Sequence, residues 1–270
     1  MNYFIDFIPK EDFYENINRA YEKLDSNDNL VFNIYFNELP AMNVNKCVYC
    51  DTNEGIKYIQ KLKNKNYKVN VMLDTFCFGN KEFTSSGKDV FELLDEIIKN
   101  NIDYITITNN FFFNYIKRRY SNVKTILSEY SEITNAQKIY RYLENVKADS
   151  VKLDYKLSLD FPKMEYIKDN FDTNRIHIDI NQLYFDNDIF RDSFNNGLSH
   201  YIEEKKWDLI LNSINEYINK QSQLNNKRLY CSKSYYNQLK ELGFNNFWFN
   251  FKYDIKEENY LNDFIEFVKK

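Results

Sequence analysis

Glycine, proline and histidine are all scarce in this chain: five, three and two among 270 residues. The few glycines leave neither a GxGxxG run nor a P-loop, so the backbone cradles that hold nucleotide phosphates are excluded. HExxH and GxSxG are missing as well, which removes the zinc-peptidase helix and the serine nucleophile elbow. His177 and His200 are too few for a metal site built from imidazoles. No apolar run approaches the about 20 residues of a membrane span. The N-terminal MNYFIDFIPKEDF carries no basic region ahead of an apolar core, so a cytoplasmic location is expected. A dominant basic block is also lacking at a formal net charge of -4, which argues against a nucleic-acid binder held by phosphate contacts. Lys117-Arg118-Arg119 reads as the solvated end of an amphipathic helix. Neither a Pro/Gly/Ser-rich linker nor a break in composition divides the chain, and one domain over 1–270 is expected.

What is present is a large apolar and aromatic complement. Hydrophobic residues make up 43%, with 23 Tyr and 23 Phe, which marks a globular protein with a sizeable core. The abundance of Asn, Lys, Ile, Tyr and Phe matches codons rich in A and T, as in a low-GC bacterium.

Short apolar runs alternate with amphipathic stretches. Strands are predicted at Tyr3–Ile8, Leu30–Asn37, Lys68–Phe76, Tyr104–Thr108, Lys124–Glu129, Ser150–Asp154, Arg175–Asn181 and Asn246–Lys252. Helices are predicted at Glu11–Leu24, Gly55–Asn64, Asp89–Asn100, Phe111–Tyr120, Asn135–Val146, Met164–Asn170, Ser234–Leu242 (stopped by Gly243) and Glu257–Lys269. A partly helical excursion runs from Leu183 to about Asn226, and Leu229–Ser232 is a further short strand candidate. Eight β/α units predict an α/β fold, a single eight-stranded parallel TIM-like barrel, with a doubly wound sheet as the alternative.

The stretch from Val69 to Thr84 joins a buried strand to a polar turn. Val69, Val71 and Leu73 alternate with Asn70, Met72 and Asp74, and Cys77 and Gly79-Asn80 follow. In the seventh strand Ile176, Ile178 and Ile180 share one face, and His177, Asp179 and Asn181 the other. With the isoleucines packed on outer helices, the polar set points into the barrel, as do Asp74, Thr106 and Thr108. Asp74, Thr108 and Asn181 lie near strand C-terminal ends, where β/α barrels place their chemistry; a hydrogen-bonded lumen network is the competing reading. His200, in Leu198-Ser199-His200, is a candidate general base or a structural residue.

Four cysteines in a chain expected to stay reduced read as thiols or metal ligands. Cys47 and Cys50 have CxxC spacing in the loop after the second strand. Cys77 ends the third strand, and Cys231 precedes the helix leading to the eighth. All four are placed on the C-terminal rim, where four thiolates would suit an iron–sulfur cluster or zinc. Four unrelated thiols remain the alternative.

The run from Leu73 to Thr84, LDTFCFGNKEFT, resembles the LNxxCxGNxEFT segment of peptidase family U-thirty-two, the collagenase-like proteases. The similarity continues through Ile105–Asn109, Ile116–Tyr120, Ser128, Ala148–Asp154, Asp160-Phe161, Asn181 and Leu198–His200. It covers about Asn70 to His200. The resemblance implies a β/α barrel, and an iron–sulfur enzyme of oxygen-independent hydroxylation or of peptide processing. Departures are specific: Tyr184 and Asp188 stand at the cysteines of an NxxCxxxCxxRxxH segment and Phe194 at its histidine. Leu159 replaces an arginine and Trp248 a lysine. The usual ligand set is incomplete, so Cys47 and Cys50 either substitute or the cluster is gone.

Two functions are therefore expected. One is an enzyme with Cys77 as ligand or nucleophile, and with Asp74, Glu82, Asn181 and His200 positioning a peptide or small-molecule substrate or moving protons. The other is a degenerate barrel that binds a peptide or pairs with a related subunit, with Phe111-Phe112-Phe113 as a docking surface.

Overall fold

The computed structural model describes residues 1–39, 41–75, 85–181, 184–186, 188, 190–224, 226, 228–251 and 256–269, with backbone alone for 85–89, Tyr184 and Arg228. Its centre is a closed barrel of eight parallel strands: β1 (Asn2–Asp6), β2 (Asn29–Phe36), β3 (Lys68–Leu73), β4 (Tyr104–Ile107), β5 (Lys124–Leu127), β6 (Ser150–Lys152), β7 (Ile176–Asp179) and β8 (Asn246–Phe249). Each strand pairs with the next, and β1 closes the ring with Phe4 opposite both Val31 and Trp248. The barrel excludes the doubly wound alternative.

Helices fill the crossovers. They are α1 (Glu11–Tyr21), α2 (Thr52–Asn64), α3 (Ser85–Ile98), α4 (Asn110–Arg119), α5 (Ala136–Tyr140), α6 (Tyr155–Ser158) and α7 (Phe161–Asn170). Between β7 and β8 lie α8 (Arg191–Glu203), α9 (Trp207–Gln223) and α10 (Lys233–Glu241), and α11 (Tyr260–Lys269) follows β8. Local chemistry sets their starts: Asp51, Asn109, Asn135 and Ser232 each accept a backbone N–H from the first turn, which satisfies donors that a helix N-terminus leaves open. Gly243 ends the α10 segment with φ +93, a conformation that favours glycine. Phe13, Ile17 and Ala20 form the buried stripe of α1.

Every predicted strand exists, but the structure ends each one earlier. Phe76 lies outside the described residues, and Asp74, Thr108, Glu129, Asp154 and Asn181 follow their strands instead of pairing within them. Of the Leu229–Ser232 candidate only Leu229 lies in a strand, Arg228–Leu229, which is antiparallel to Tyr184–Phe185 and outside the barrel, so the ring keeps eight strands. The predicted docking triplet is mostly core: Phe112 and Phe113 are buried and Phe111 is exposed. Lys117 and Arg119 are engaged with Asp149 and Asp95 at 3.0 and 2.6 Å.

Tertiary packing separates into two apolar bodies. The main core lies between the barrel and its helices, and the isoleucines of β7 contribute to it as expected. A satellite core joins Leu198 and Ile202 of α8 to Ile210 and Ile214 of α9, with Met42, Val44 and Trp207 packed against it. That hairpin lies over the loop after β2, at the C-terminal end of the strands, and forms one wall of the site described next. No described helix is long and apolar enough to cross a membrane.

Candidate active site

The lumen is polar on both sides. From β1 to β4 runs a ladder of neutral groups on one carboxylate. Asn33 donates to Asp6 (3.0 Å), Asn70 to Asn33 (2.8 Å) and Thr106 to Asn70 (3.0 Å). Asp6 also accepts from the Tyr35 hydroxyl, the Asn43 amide and the Phe251 backbone N–H at 2.9, 3.0 and 2.7 Å. It thereby ties the loops after β2 and β8 to the barrel. Burial raises the Asp6 carboxyl despite these donors.

On the opposite arc the side chains are charged. Lys152 of β6 lies 3.1 Å from Asp179 of β7 and 3.5 Å from Glu129 beyond β5. Its ammonium sits 4.3 Å from the Trp248 ring. Burial opposes the lysine's charge, but Asp179, Glu129 and Asp74 outweigh it and raise its affinity for the proton. Asp179 is held low: burial pushes it up, while Lys152, the Glu129 hydrogen bond and the Asn250 amide (2.7 Å) more than offset this. Glu129 goes the other way, pushed well up by burial and by the charge of Asp179, which leaves it a neutral acid beside an ion pair. His177 accepts from the Trp248 indole at 3.0 Å, and burial with the Lys152 charge lowers its pKa to about 3. Its ring is a neutral acceptor and packs edge-on to Phe4.

Above this lumen, at the C-terminal strand ends, opens a cavity of about 200 Å³, smaller than the roughly 300–1,000 Å³ of sites for drug-sized ligands. Asp74, Glu129, Lys152, Asp154, Asp188 and Arg191 supply its polar groups; Met42, Met72, Phe185, Phe194, Leu198 and Phe251 belong to its apolar walls. Arg191 at the start of α8 pairs with Asp154 at 2.6 Å and lies over the Tyr155 ring. Asp74 is buried, accepts the Met42 backbone N–H at 3.0 Å and is raised to about 6 by burial, which the Met42 bond and the Lys152 charge only partly counter.

The predicted site residues fall in different places. Asp74 lines the cavity. Asn181 is one bond removed: it exchanges two hydrogen bonds of 2.8 Å with the Asn250 backbone, and Asn250 lines the cavity. Thr108 stays outside the cavity lining, its hydroxyl enclosed and without a hydrogen-bond partner among the described residues. His200 is exposed on α8 near Glu204 and does not line the cavity. Cys77 and Glu82 lie outside the described residues.

The three described cysteines are free. Cys50 is buried under α2, its thiol donating to the Tyr35 carbonyl at 3.3 Å, and its sulfur would lie 2.9 Å from a Cβ added at Gly55. Cys47 is half-buried near Lys10 and Glu257 and pushed up to about 11 by burial. Cys231 is buried and pushed up to about 12. Burial disfavours the thiolate form that metals take. Among the described residues no three His, Cys, Asp or Glu side chains are grouped to hold a metal, so the described donors do not fit a cluster or a zinc ion.

The corner where the resemblance places a cysteine and a histidine is packed instead. Asp188 accepts from the Phe190 N–H (3.0 Å), the Gln221 amide (2.6 Å) and the Tyr217 hydroxyl, and Phe194 stacks on Tyr217 with ring centroids 3.9 Å apart. Leu159 packs against the core and Trp248 fills the lumen against Phe4. Lys152, Glu129, Asp154 and Arg191 were missed as site residues, though signals existed. Lys152 alternates with Val151 and Leu153 as His177 does with its isoleucines, and Arg191 stands at the arginine of the NxxCxxxCxxRxxH segment counted from Asn181.

No protein-family model matches this chain, and no curated protein sequence matches it significantly. Its fold is similar to the solved structure of the U32 peptidase Mk0906, with a TM-score of 0.65 over 95% of this chain and 94% of that one, at 13% identity. The likeness shows a U32-like barrel in a divergent sequence.

Proposed function

We propose that the chain is an acid–base enzyme on a U32-peptidase-like barrel, acting on a small molecule or on the end of a peptide inserted into the cavity. The carrying observation is Asp74: a buried carboxyl on the cavity wall, raised to about 6, which is the range in which a side chain both accepts and returns a proton near neutrality. Glu129 supplies an uncharged proton donor, held in place beside the Lys152–Asp179 ion pair. Cavity size favours a small group over an extended chain. The expected result is turnover rising with pH through about 6, found by mass spectrometry of small amides and short peptides incubated with the protein. Asp74→Asn should lower it by about 10²–10⁴-fold without lowering the unfolding midpoint, because the fold already favours the uncharged carboxyl. Full activity in that variant would overturn the reading.

A binding or accessory subunit is the second reading, favoured by the packed corner of Asp188, Phe194 and Tyr217. It expects ligand or partner binding without turnover. A hydroxylation-type reaction on an iron–sulfur cluster is the third, and it requires Cys77 to gather Cys47, Cys50 and Cys231. Iron and sulfide analysis of anaerobically purified protein, with its visible absorption, tests that reading directly.

A further inference from the structure

We infer that the cavity takes an organic ammonium ion with an apolar body, its charge set against Asp74. The inference rests on reading this cavity as the ligand site, and it adds the class of ligand. The charge pattern carries it. Four acids and two cations line the space, and both cations are already committed: Arg191 to Asp154 at 2.6 Å and Lys152 to Asp179 at 3.1 Å. Asp74 and Asp188 have no ion-pair partner among the described residues. Asp188 is nonetheless satisfied as an anion by the three donors of Phe190, Gln221 and Tyr217. Asp74 has the Met42 N–H as its described hydrogen-bond partner and is 3% exposed.

A buried carboxylate without a counter-ion is destabilised until a cation reaches it. An ammonium ligand would supply that cation and three donors. An anionic ligand would meet two unpaired carboxylates and find Arg191 and Lys152 already held. The walls suit the rest of such a ligand: Met42, Met72, Leu198 and Ile214 offer apolar contact, and Tyr130 and Phe251 add aromatic side chains, a residue class that buries carbon and attracts cations.

Proton linkage gives a second handle. The described titratable and charged groups that act on Asp74 are Lys152 on β6, Asp6 at the end of β1, and Tyr35, Tyr49 and Tyr130. With Asp74 raised to about 6, acid neutralises it and removes the ligand's counter-charge.

The experiment is calorimetric titration of the full chain with a panel of alkyl- and phenylalkylammonium ions, each beside the carboxylate of the same carbon skeleton. At pH 7.5 at least one ammonium should bind tenfold or more tightly than its carboxylate twin. That affinity should fall about tenfold on lowering the pH to 5, in the wild-type protein, and by at least tenfold in Asp74→Asn at pH 7.5. Circular dichroism verifies that the variant folds, and the wild-type pH arm stands even if it does not. A panel in which no ammonium exceeds its carboxylate, or a preference independent of both pH and Asp74, overturns the inference. Because binding is read and not turnover, ammonium binding together with an absence of turnover on the amides and peptides would sink the enzyme reading alone.

Discussion

The two arcs of the lumen solve the same problem differently. Between β1 and β4, a ladder of Asn33, Asn70 and Thr106 surrounds the single carboxyl of Asp6. Between β5 and β8, the Lys152–Asp179 ion pair sits beside the uncharged Glu129, over Trp248 and His177. Amides and hydroxyls carry no formal charge to desolvate, so the first arc fixes geometry. The second depends on each charge keeping its partner, since a buried ion left alone is far more costly than a lost neutral hydrogen bond. Asp74 stands at the mouth between them, touched by the loop after β2 and sensing Lys152.

The largest break in this contrast should come from Lys152→Met. It leaves Asp179 without its cation, and we expect a loss of about 3–5 kcal/mol in denaturant unfolding, or failure to fold. A triple replacement of Lys152, Asp179 and Glu129 by apolar residues of similar volume should recover much of that loss.

The next largest effect is set by pH. His177 titrates at about 3 in the fold against about 6.5 unfolded, so the unfolded chain takes up the proton first. Stability linked to His177 is therefore intact above about 6.5 and is lost as pH falls toward 3. Between pH 8 and pH 5 the wild type should lose about 2 kcal/mol more than His177→Gln. Asp74 acts with the opposite sign, because its raised pKa makes acid favour the fold, but it is present in both proteins and cancels.

Smallest is Thr106→Val in the neutral arc. It removes one hydroxyl donor to Asn70 at little change in volume, and should lower stability by about 1 kcal/mol with no dependence on pH. An effect as large as that of Lys152→Met would erase the distinction between the arcs.

Alternation made the barrel legible in the sequence, because period-2 runs such as Val69–Leu73 and Ile176–Ile180 can bury one face only in one register. It also pointed Asp74, Thr106 and His177 inward. Strand ends were less legible, since Asp74, Glu129 and Asp154 continue the pattern in sequence while turning toward the cavity in space. Lys152 escaped notice because a lysine inside a strand looks solvated until the fold supplies Asp179 and Glu129, 27 and 23 positions away in the chain. His200 drew attention by its rarity, yet helical phase places it on the outside of α8. The CxxC spacing of Cys47 and Cys50 could not reveal that a 3₁₀ turn and a short pairing with β2 carry Cys50 under α2.

The most direct test of the central claim is the titration of Asp74 itself, followed by carboxyl carbon NMR of selectively labelled protein and assigned by its absence in Asp74→Asn. A midpoint near 6 that moves downward when an ammonium ligand is added is the predicted result. A midpoint near 3.8, the ordinary aspartate value, unmoved by ligand, would contradict a buried, unpaired carboxylate at the heart of the site.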